Sequence, residues 1–202
     1  MNKKIIHDAL VLTAFTVILG FILGLVHEIT KEPIAAAEAA TKQAAYQTVF
    51  SDASSFEEVE DVDYDAANAL LSENGYSDTI SEVLTACDAS GEALGYVITV
   101  TANDGSQASI TMSVGIRADG TVNGYSITDI SETPGLGMKV EEEDFYSQFE
   151  GKQVDAFSVV KTEPAADNEI EAITGATISS KAVANAVNAA LVYCQNSLGG
   201  AQ

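Results

Sequence analysis

The first pattern along the chain is an unbroken run of uncharged, mostly apolar residues. It covers the 18 residues from Ala9 to Val26, which in a helix would reach about 27 Å at about 1.5 Å per residue. Lys3 and Lys4 precede the run and Glu28 follows it. The pattern predicts a helix that crosses the lipid bilayer through residues 9–26, with a cytoplasmic N-terminus and the rest of the chain on the extracytoplasmic side of a bacterial cell membrane.

A cleaved signal peptide is the alternative for this segment. Ala35-Ala36-Ala37 has the small residues of a cleavage site. The apolar run is longer than the usual signal core of about 7 to 15 residues, however, and the alanines lie beyond Pro33. These features favour a retained anchor.

Helical composition continues after the apolar run. Pro33 suits the first position of a helix that is rich in alanine and extends over residues 34–50. A second helix is predicted from Tyr64 to Asn74, with Gly75 ending it. We expect a transmembrane anchor over residues 1–30, helical and acidic segments over residues 31–75, and an α+β domain over residues 76–202.

The acidic residues of segment 57–65 include a D-x-D-x-D pattern. A calcium loop starting at Asp61 would need glycine at its sixth position and glutamate at its twelfth, where this chain has Ala66 and Ser72. We therefore interpret the segment as a solvated charged stretch.

Alternation with a period of two gives the clearest signal in the second half of the chain. Ile110, Met112, Val114 and Ile116 alternate with polar or small residues, and glycine-containing turns separate successive runs. The pattern predicts an antiparallel meander with one covered face, in strands over 79–87, 93–102, 110–117 and 121–129.

Helices are expected to cover that face. One is predicted near Glu142 to Phe149, and a longer one from Ser180 to Gln195, ended by Gly199-Gly200. Val183, Val187, Leu191 and Cys194 recur at helical spacing in the longer helix. The predicted fold class is α+β, with one transmembrane helix followed by an antiparallel sheet covered by helices.

Composition then restricts the chemistry. The chain carries 30 acidic and 9 basic residues, for a net charge of −21, which makes nucleic-acid binding improbable. Its two histidines, His7 and His27, flank the apolar run, so histidine-dependent triads and histidine-ligated metals are excluded from the following domain. Cys87 and Cys194 fit no metal or redox motif; we expect two buried thiols, or a disulfide if the domain is exported.

Two motifs remain as candidates for chemistry. In the first, Glu132-Thr133-Pro134-Gly135-Leu136-Gly137-Met138, proline and glycine predict a turn whose exposed amides suit a flat or anionic ligand. The second, Thr174-Gly175-Ala176-Thr177-Ile178-Ser179-Ser180, lies at the start of the last helix. Its hydroxyls suit either a plain helix cap or a phosphate site at a helix N-terminus. A phosphate-bearing cofactor would fit both motifs.

These motifs carry a resemblance. Together with Gly95-Tyr96-Val97-Ile98 and Val114-Gly115-Ile116, they resemble the FMN-binding domain family, and within it the G subunits of Rnf ion-translocating electron-transport complexes. The resemblance implies that an FAD-dependent flavin transferase attaches FMN through a phosphoester to Thr177, the last residue of a D-x-x-[ST]-G-A-[ST] motif. Glu171 stands at the acidic position of that motif, where the transferase would recognise it.

The resemblance also implies FMN-contacting residues, namely Glu132, Thr133, Pro134, Gly135, Leu136, Gly137, Met138, Thr174, Gly175, Ala176 and Ser179. The implied function is a redox relay between ferredoxin and NAD, working with other membrane subunits of an Rnf-type complex rather than as a stand-alone enzyme. Within the family, the C subunit of a sodium-pumping NADH:quinone reductase is the alternative. An anchored module for a noncovalent ligand and a purely structural assembly subunit are alternatives of other classes.

Overall fold

The computed structural model describes residues 3–199, and its first helix, α1, runs from Lys3 to Val49. The chain divides into two compact units, one up to Thr41 and one from Lys42 onward. The apolar window of α1 is long enough to cross a membrane by length and composition, and none of it is buried within the protein. Pro33 lies inside α1 and not at its first turn, so the expected helix start at this residue is wrong.

The elements that follow α1 form an α+β domain, as the sequence predicts. They are β1 (Ser55–Glu58), α2 (Tyr64–Glu73), β2 (Thr79–Cys87), β3 (Ala93–Ala102), β4 (Ile110–Arg117), β5 (Val122–Asp129), α3 (Glu143–Tyr146), β6 (Ser158–Val160), β7 (Glu169–Glu171) and α4 (Thr177–Ser197). Strands β1 to β5 form one antiparallel sheet in chain order. The predicted meander is confirmed.

Strand β1 was not predicted, because it is short and its second half, Glu57 and Glu58, lies in the stretch that was interpreted as acidic and solvated. Ser55 to Glu58 pair with β2 at the edge of the sheet. Only Phe56 among them packs against an apolar cluster. Backbone hydrogen bonds to β2 therefore hold this strand, and such bonds leave no hydrophobic periodicity in the sequence.

Both faces of the sheet are covered, so the prediction of a single covered face is wrong. One face packs on α4 through the main core, whose members include Ile98, Met112, Val114, Val187 and Leu191. The other face holds a smaller cluster from the end of α1 and the strands, consisting of Tyr46, Val49, Phe50, Ala53, Leu84, Ala86 and Val97. Gly115 makes room for this packing, because a Cβ added there would lie 2.8 Å from Cβ of Val49.

A polar cluster joins the last turns of α1 to the same face. Oε2 of Glu82 accepts hydrogen bonds from Nζ of Lys42 at 3.1 Å, from the hydroxyl of Tyr46 at 2.6 Å and from Oγ1 of Thr99 at 3.1 Å. Burial raises the pKa of Glu82, but these donors outweigh burial and the pKa is lowered. The carboxylate therefore stays charged and fixes residues 42–46 to the sheet.

The remaining helices lie where the sequence predicts them, but one of them is not continuous. Helix α2 begins after Asp63, whose side chain accepts from the N–H of Ala66 at 2.9 Å, and it ends before Gly75 as predicted. The helix expected near residues 142–149 is split into α3 and two flanking 3₁₀ turns, Gly137–Glu141 and Ser147–Phe149. The parallel pair β6–β7 was not predicted.

Helix α4 is longer than the sequence indicates. It begins at Thr177 and ends at Ser197, before Gly199; Gly200, the other half of the predicted stop, lies outside the described residues. Val183, Val187, Leu191 and Cys194 are buried, as their spacing predicts. Cys87 and Cys194 are both buried free thiols, which excludes the alternative of a disulfide between them.

Candidate functional site

The loop after β5 makes a tight turn at the first motif. The N–H of Leu136 donates to the carbonyl of Thr133 at 3.1 Å, and Gly135 has a φ of +74°. Proline at the second position and glycine at the third is the sequence of a type II turn, whose third residue needs positive φ. Pro134 and Gly135 therefore shape the loop, and Leu136 is left with a largely exposed side chain.

A second turn leads into α4. The N–H of Ala176 donates to the carbonyl of Ile173 at 2.9 Å, and Gly175 has a φ of +84°. The hydroxyl of Ser180 fixes this turn from the first turn of the helix, accepting from the N–H of Ile173 and donating to the carbonyl of Ala176, both at 3.0 Å. Ser180 is thus committed to the fold and is not free to bind a ligand.

Thr177 is the first residue of α4, preceded by Ala176 as a cap without a side-chain hydrogen bond. It is half-buried. Within residues 3–199 its hydroxyl makes no hydrogen bond, and the N–H groups of Thr177, Ile178 and Ser179 meet no acceptor. The plain helix cap predicted as an alternative is therefore not what Thr177 provides. Three free N–H groups at the positive end of a 21-residue helix make an anion site.

The two motifs meet in one cleft of about 420 Å³. Eight predicted residues line it, namely Glu132, Thr133, Leu136, Gly137, Gly175, Ala176, Thr177 and Ser179. Ser106, Gln107 and Ile178 also line it and were missed. Ser106 and Gln107 belong to a polar loop between β3 and β4 that carries no motif, so only the tertiary fold reveals their position.

Glu132 lies deep in this cleft, with 5% of its surface exposed. Its Oε1 accepts hydrogen bonds from the N–H groups of Ser106 and Gln107. Its Oε2 is buried and has no hydrogen-bond partner among the described residues. Because a buried carboxylate oxygen without a donor is costly, this atom is an acceptor available to a ligand that brings an N–H or O–H group.

Gly137 is required by the packing around this carboxylate. A Cβ added at Gly137 would lie 2.6 Å from Oε2 of Glu132, 2.8 Å from its Cβ and 2.9 Å from Oγ of Ser179. These separations are shorter than van der Waals contact. The glycine lets the loop approach the start of α4 closely enough to form the cleft.

We expect Gly137→Ala to lower the free energy of unfolding by about 1–3 kcal/mol, because the added methyl group overpacks the site. Chemical denaturation monitored by circular dichroism measures this cost. The double variant Gly137→Ala, Ser179→Ala removes one of the colliding atoms, so its cost should be smaller than the sum of the single costs. Additive costs would show that the collision with Ser179 does not matter.

Five predicted residues do not line the cleft. Pro134, Gly135 and Met138 belong to the turn of the first motif, while Thr174 and Glu171 lie in a separate depression with Lys139. The backbone of Glu171 is held by Gln148, whose Oε1 accepts from its N–H at 2.7 Å, and its side chain is exposed. Glu171 is thus accessible to another protein, as a recognition residue would need to be.

The donor set of the cleft suits a phosphate-bearing group and not a metal. Within residues 3–199 no group of three or more His, Cys, Asp or Glu side chains comes together. The cleft offers helix N–H groups for an anion and one buried carboxylate oxygen for a donor, beside the exposed side chains of Leu136 and Ile178. An organic phosphate with an apolar ring fits this combination.

Comparisons with known proteins agree with this fit. Residues 105–192 match the FMN-binding domain family, and residues 1–49 match the RnfG N-terminal region. The chain is 33% identical over 198 residues to the G subunit of the Na(+)-translocating ferredoxin:NAD(+) oxidoreductase complex of Acetobacterium woodii, covering 96% of this chain and 93% of that protein.

A second relative is the G subunit of the proton-translocating ferredoxin:NAD(+) oxidoreductase complex of Clostridium ljungdahlii, 31% identical over 189 residues, covering 94% of this chain and 91% of that protein. Among solved structures, the C subunit of the Na(+)-translocating NADH-quinone reductase from Parabacteroides distasonis superposes with a TM-score of 0.48 at 20% identity, covering 71% of this chain and 77% of that one.

Proposed function

This chain belongs to the family of G subunits of ion-translocating ferredoxin:NAD(+) oxidoreductase complexes, and we propose that it carries FMN esterified to Thr177 and relays electrons within such a complex. It acts together with other membrane proteins and not as a stand-alone enzyme. The observation that carries the proposal is the start of α4, where an unengaged threonine hydroxyl stands beside three free backbone N–H groups.

The geometry at the start of α4 favours the reaction that would attach FMN to Thr177. The Oγ1 atom of Thr177 forms a bond to the FMN phosphorus of FAD, the pyrophosphate bond breaks, and AMP leaves, while the hydroxyl proton is released to a base. The product is a phosphodiester with one negative charge. The N–H groups of residues 177–179 and the helix dipole stabilise that charge where it forms.

The flavin transferase that catalyses this step must reach the site. Thr174 and Gly175 are exposed and Thr177 is half-buried, so the turn before α4 is open to a second protein. Glu171 is exposed at the end of β7, six positions before Thr177. We assign it to recognition by the transferase and not to contact with the bound cofactor.

The cleft also suits the ring of the cofactor. From Lys42 to residue 199, three large apolar side chains are exposed, and two of them, Leu136 and Ile178, line the cleft. When bound, FMN supplies a ring that accepts and gives up electrons one or two at a time. Leu136 and Ile178 would pack against the ring, and Oε2 of Glu132 would accept a hydrogen bond from the bound cofactor.

The membrane anchor gives a reason why the flavin would be bound covalently. We propose that residues 9–26 cross the bilayer and that the N-terminus faces the cytoplasm, since Lys3 and Lys4 directly precede the apolar run and basic residues favour the cytoplasmic side. The acidic domain then faces outward, where a dissociated flavin would be lost by dilution. A phosphodiester bond removes that loss.

The test is purification of the intact complex, followed by denaturing electrophoresis and flavin fluorescence in the gel. We expect this chain to retain fluorescence, and we expect mass spectrometry of its peptides to locate one FMN group on Thr177. A complex that holds this chain without bound flavin would contradict the relay. Flavin that is present but removed by denaturation would contradict only the covalent bond.

Ile178→Ala probes the contact with the ring. Losing the side chain should weaken ring docking by about 1 kcal/mol, or about fivefold in the equilibrium constant between the docked and undocked ring, while covalent FMN remains. Iodide quenching of flavin fluorescence measures this as easier access to the ring. Tyr64→Ala, which removes an exposed apolar side chain from α2, is the control and should leave quenching unchanged. Equal quenching in all three proteins would mean that Ile178 does not contact the ring.

A further inference from the structure

The depression that Glu171 lines adjoins the flavin cleft along the chain. It has a volume of about 230 Å³, and residues 172–174 form part of its lining, whereas residues 175–177 line the cleft. The two recesses share no lining residue. FMN held in the cleft would therefore leave the depression open to another molecule.

A side chain of the depression holds the backbone of Glu171. The N–H of Glu171 donates to Oε1 of Gln148 at 2.7 Å, and Nε2 of Gln148 donates to the carbonyl of Glu171 at 3.4 Å. One amide group thus pairs with both backbone groups of Glu171, as a neighbouring strand would. Ile170, the preceding residue of β7, is fully buried. These contacts fix the direction in which the exposed Glu171 side chain leaves the strand.

The clamp is itself fixed, and so is the far end of the motif. Gln148 belongs to the 3₁₀ turn whose last residue, Phe149, is fully buried. At the other end, the hydroxyl of Ser180 binds the backbone of Ile173 and Ala176. The segment from residue 171 to residue 176 is therefore held in one conformation before any partner binds.

We propose that Gln148 positions Glu171 for the flavin transferase and that the transferase docks over this depression. The inference rests on the proposed attachment of FMN to Thr177. A partner that binds a segment already held in one conformation does not meet the entropic cost of ordering it. Gln148 acts through Glu171 and does not line the cleft.

The charge of the depression fits a partner that holds FAD. Glu142, Asp144 and Glu171 line it, against one cation, Lys139, among the described lining residues. A protein that binds FAD must surround the pyrophosphate with cationic groups. Those groups come close to Thr177 during transfer, because its Oγ1 attacks the FMN phosphorus. They then face an acidic surface that begins three residues before Thr177.

Other occupants of the depression fit less well. A free anionic ligand would be repelled by the carboxylates. A metal ion would need several ligands at one point, and among residues 3–199 no three acidic, histidine or cysteine side chains come together. A cationic protein surface needs no such convergence, because charge complementarity acts over the whole contact area.

The test measures the rate of FMN attachment to the full chain. The chain is purified in detergent from cells that lack the transferase and is then supplied with transferase and saturating FAD. Gln148→Met keeps the length of the side chain and removes both hydrogen bonds to Glu171. We expect the KM for the chain to rise about three- to tenfold, with kcat within about twofold of the parent. A loss of folded chain alone would reduce the amount that can be loaded and would leave KM unchanged.

Two further variants make this result specific. Gln153→Met is the matched control, because Nε2 of Gln153 donates to the carbonyl of Asp119 at 2.6 Å, outside the depression. It loses a comparable hydrogen bond and should keep the KM of the parent. Glu171→Gln should raise KM, and the double variant Gln148→Met, Glu171→Gln should be little worse than Glu171→Gln alone.

The acidic lining is tested in the same reaction. Glu142 makes no side-chain capping bond at the start of α3, so Glu142→Gln removes charge without breaking a cap. We expect its KM to rise about twofold to threefold at low salt, and less at high salt. Glu163→Gln, at an exposed position outside the depression, should keep the KM of the parent.

The outcomes separate this inference from the proposed attachment. A parent KM in Gln148→Met, or effects that multiply in the double variant, would overturn the positioning role while leaving the attachment of FMN to Thr177 intact. A parent KM in Glu142→Gln would overturn docking over the depression. A parent chain that receives no FMN would overturn the proposed attachment, and the docking surface with it.

Discussion

Thr177→Ala should abolish covalent flavin while leaving the domain folded. The hydroxyl of Thr177 is the proposed attachment atom, and within the described chain it makes no hydrogen bond that the substitution would break. Alanine is also a better helix former than threonine by about 0.5 kcal/mol, so α4 should be at least as stable. In-gel flavin fluorescence of protein coexpressed with its transferase should fall to background, with an unchanged circular dichroism spectrum.

Two matched variants make this result specific. Thr177→Ser keeps a hydroxyl at the same helix position and should retain covalent flavin. Thr174→Ala removes a hydroxyl three residues earlier, from the depression that Glu171 lines, and should retain it as well. Fluorescence that survives Thr177→Ala but disappears in Thr174→Ala would move the attachment to Thr174.

The parts of the fold that the sequence predicts are those with strong local periodicity. The alternation of Ile110, Met112, Val114 and Ile116 locates β4, because residues two apart along a strand point to the same face, and all four lie in the main core. Val183, Val187 and Leu191 locate α4 in the same way. Each of these patterns lies within a single strand or helix, so the sequence alone is sufficient to locate the element.

The parts that the sequence does not predict depend on contacts between distant segments. Phe50 gives no sign that it covers the second face of the sheet, because that contact exists only where Gly95 and Gly115 leave space on β3 and β4. Likewise, the sequence shows Glu132 only as one residue of a loop motif. Its burial depends on Ser106 and Gln107, about 25 residues earlier, which donate to its carboxylate.

The candidate site shows the same division. The motif around Thr177 predicts a helix start with hydroxyls, and the structure adds that Ser180 fixes the turn while Thr177 stays unengaged. Two hydroxyls of one motif thus have different roles, which no spacing rule separates. Ile178 was missed because the sequence does not show that this exposed isoleucine shares a cleft with Leu136.

Asp78, a buried residue that directly precedes β2, should make the stability of the protein strongly dependent on pH. Burial, followed by repulsion from Asp104, raises the pKa of Asp78 from 3.8 to about 7, and a weak interaction with its own N–H offsets only part of this. Below about pH 4 the residue is protonated in the folded and unfolded chains alike. As the pH rises to about 7, the unfolded chain releases the proton while the folded chain keeps it, so the free energy of unfolding falls.

The size of this fall follows from the two pKa values. At about 1.4 kcal/mol for each pKa unit, it amounts to roughly 4 kcal/mol between about pH 4 and about pH 8. Asp78→Asn cannot titrate, so its free energy of unfolding relative to the parent should rise by that amount over the same range. Urea denaturation at a series of pH values measures the difference, in which the other titrating groups cancel.

A control variant separates the titration of Asp78 from the general effect of removing one negative charge. Asp129→Asn measures the effect of removing one charge from an acidic protein at an exposed position, and its difference from the parent should be small at every pH. Parallel curves for the parent and Asp78→Asn would mean that burial does not raise the pKa of Asp78 in the folded protein.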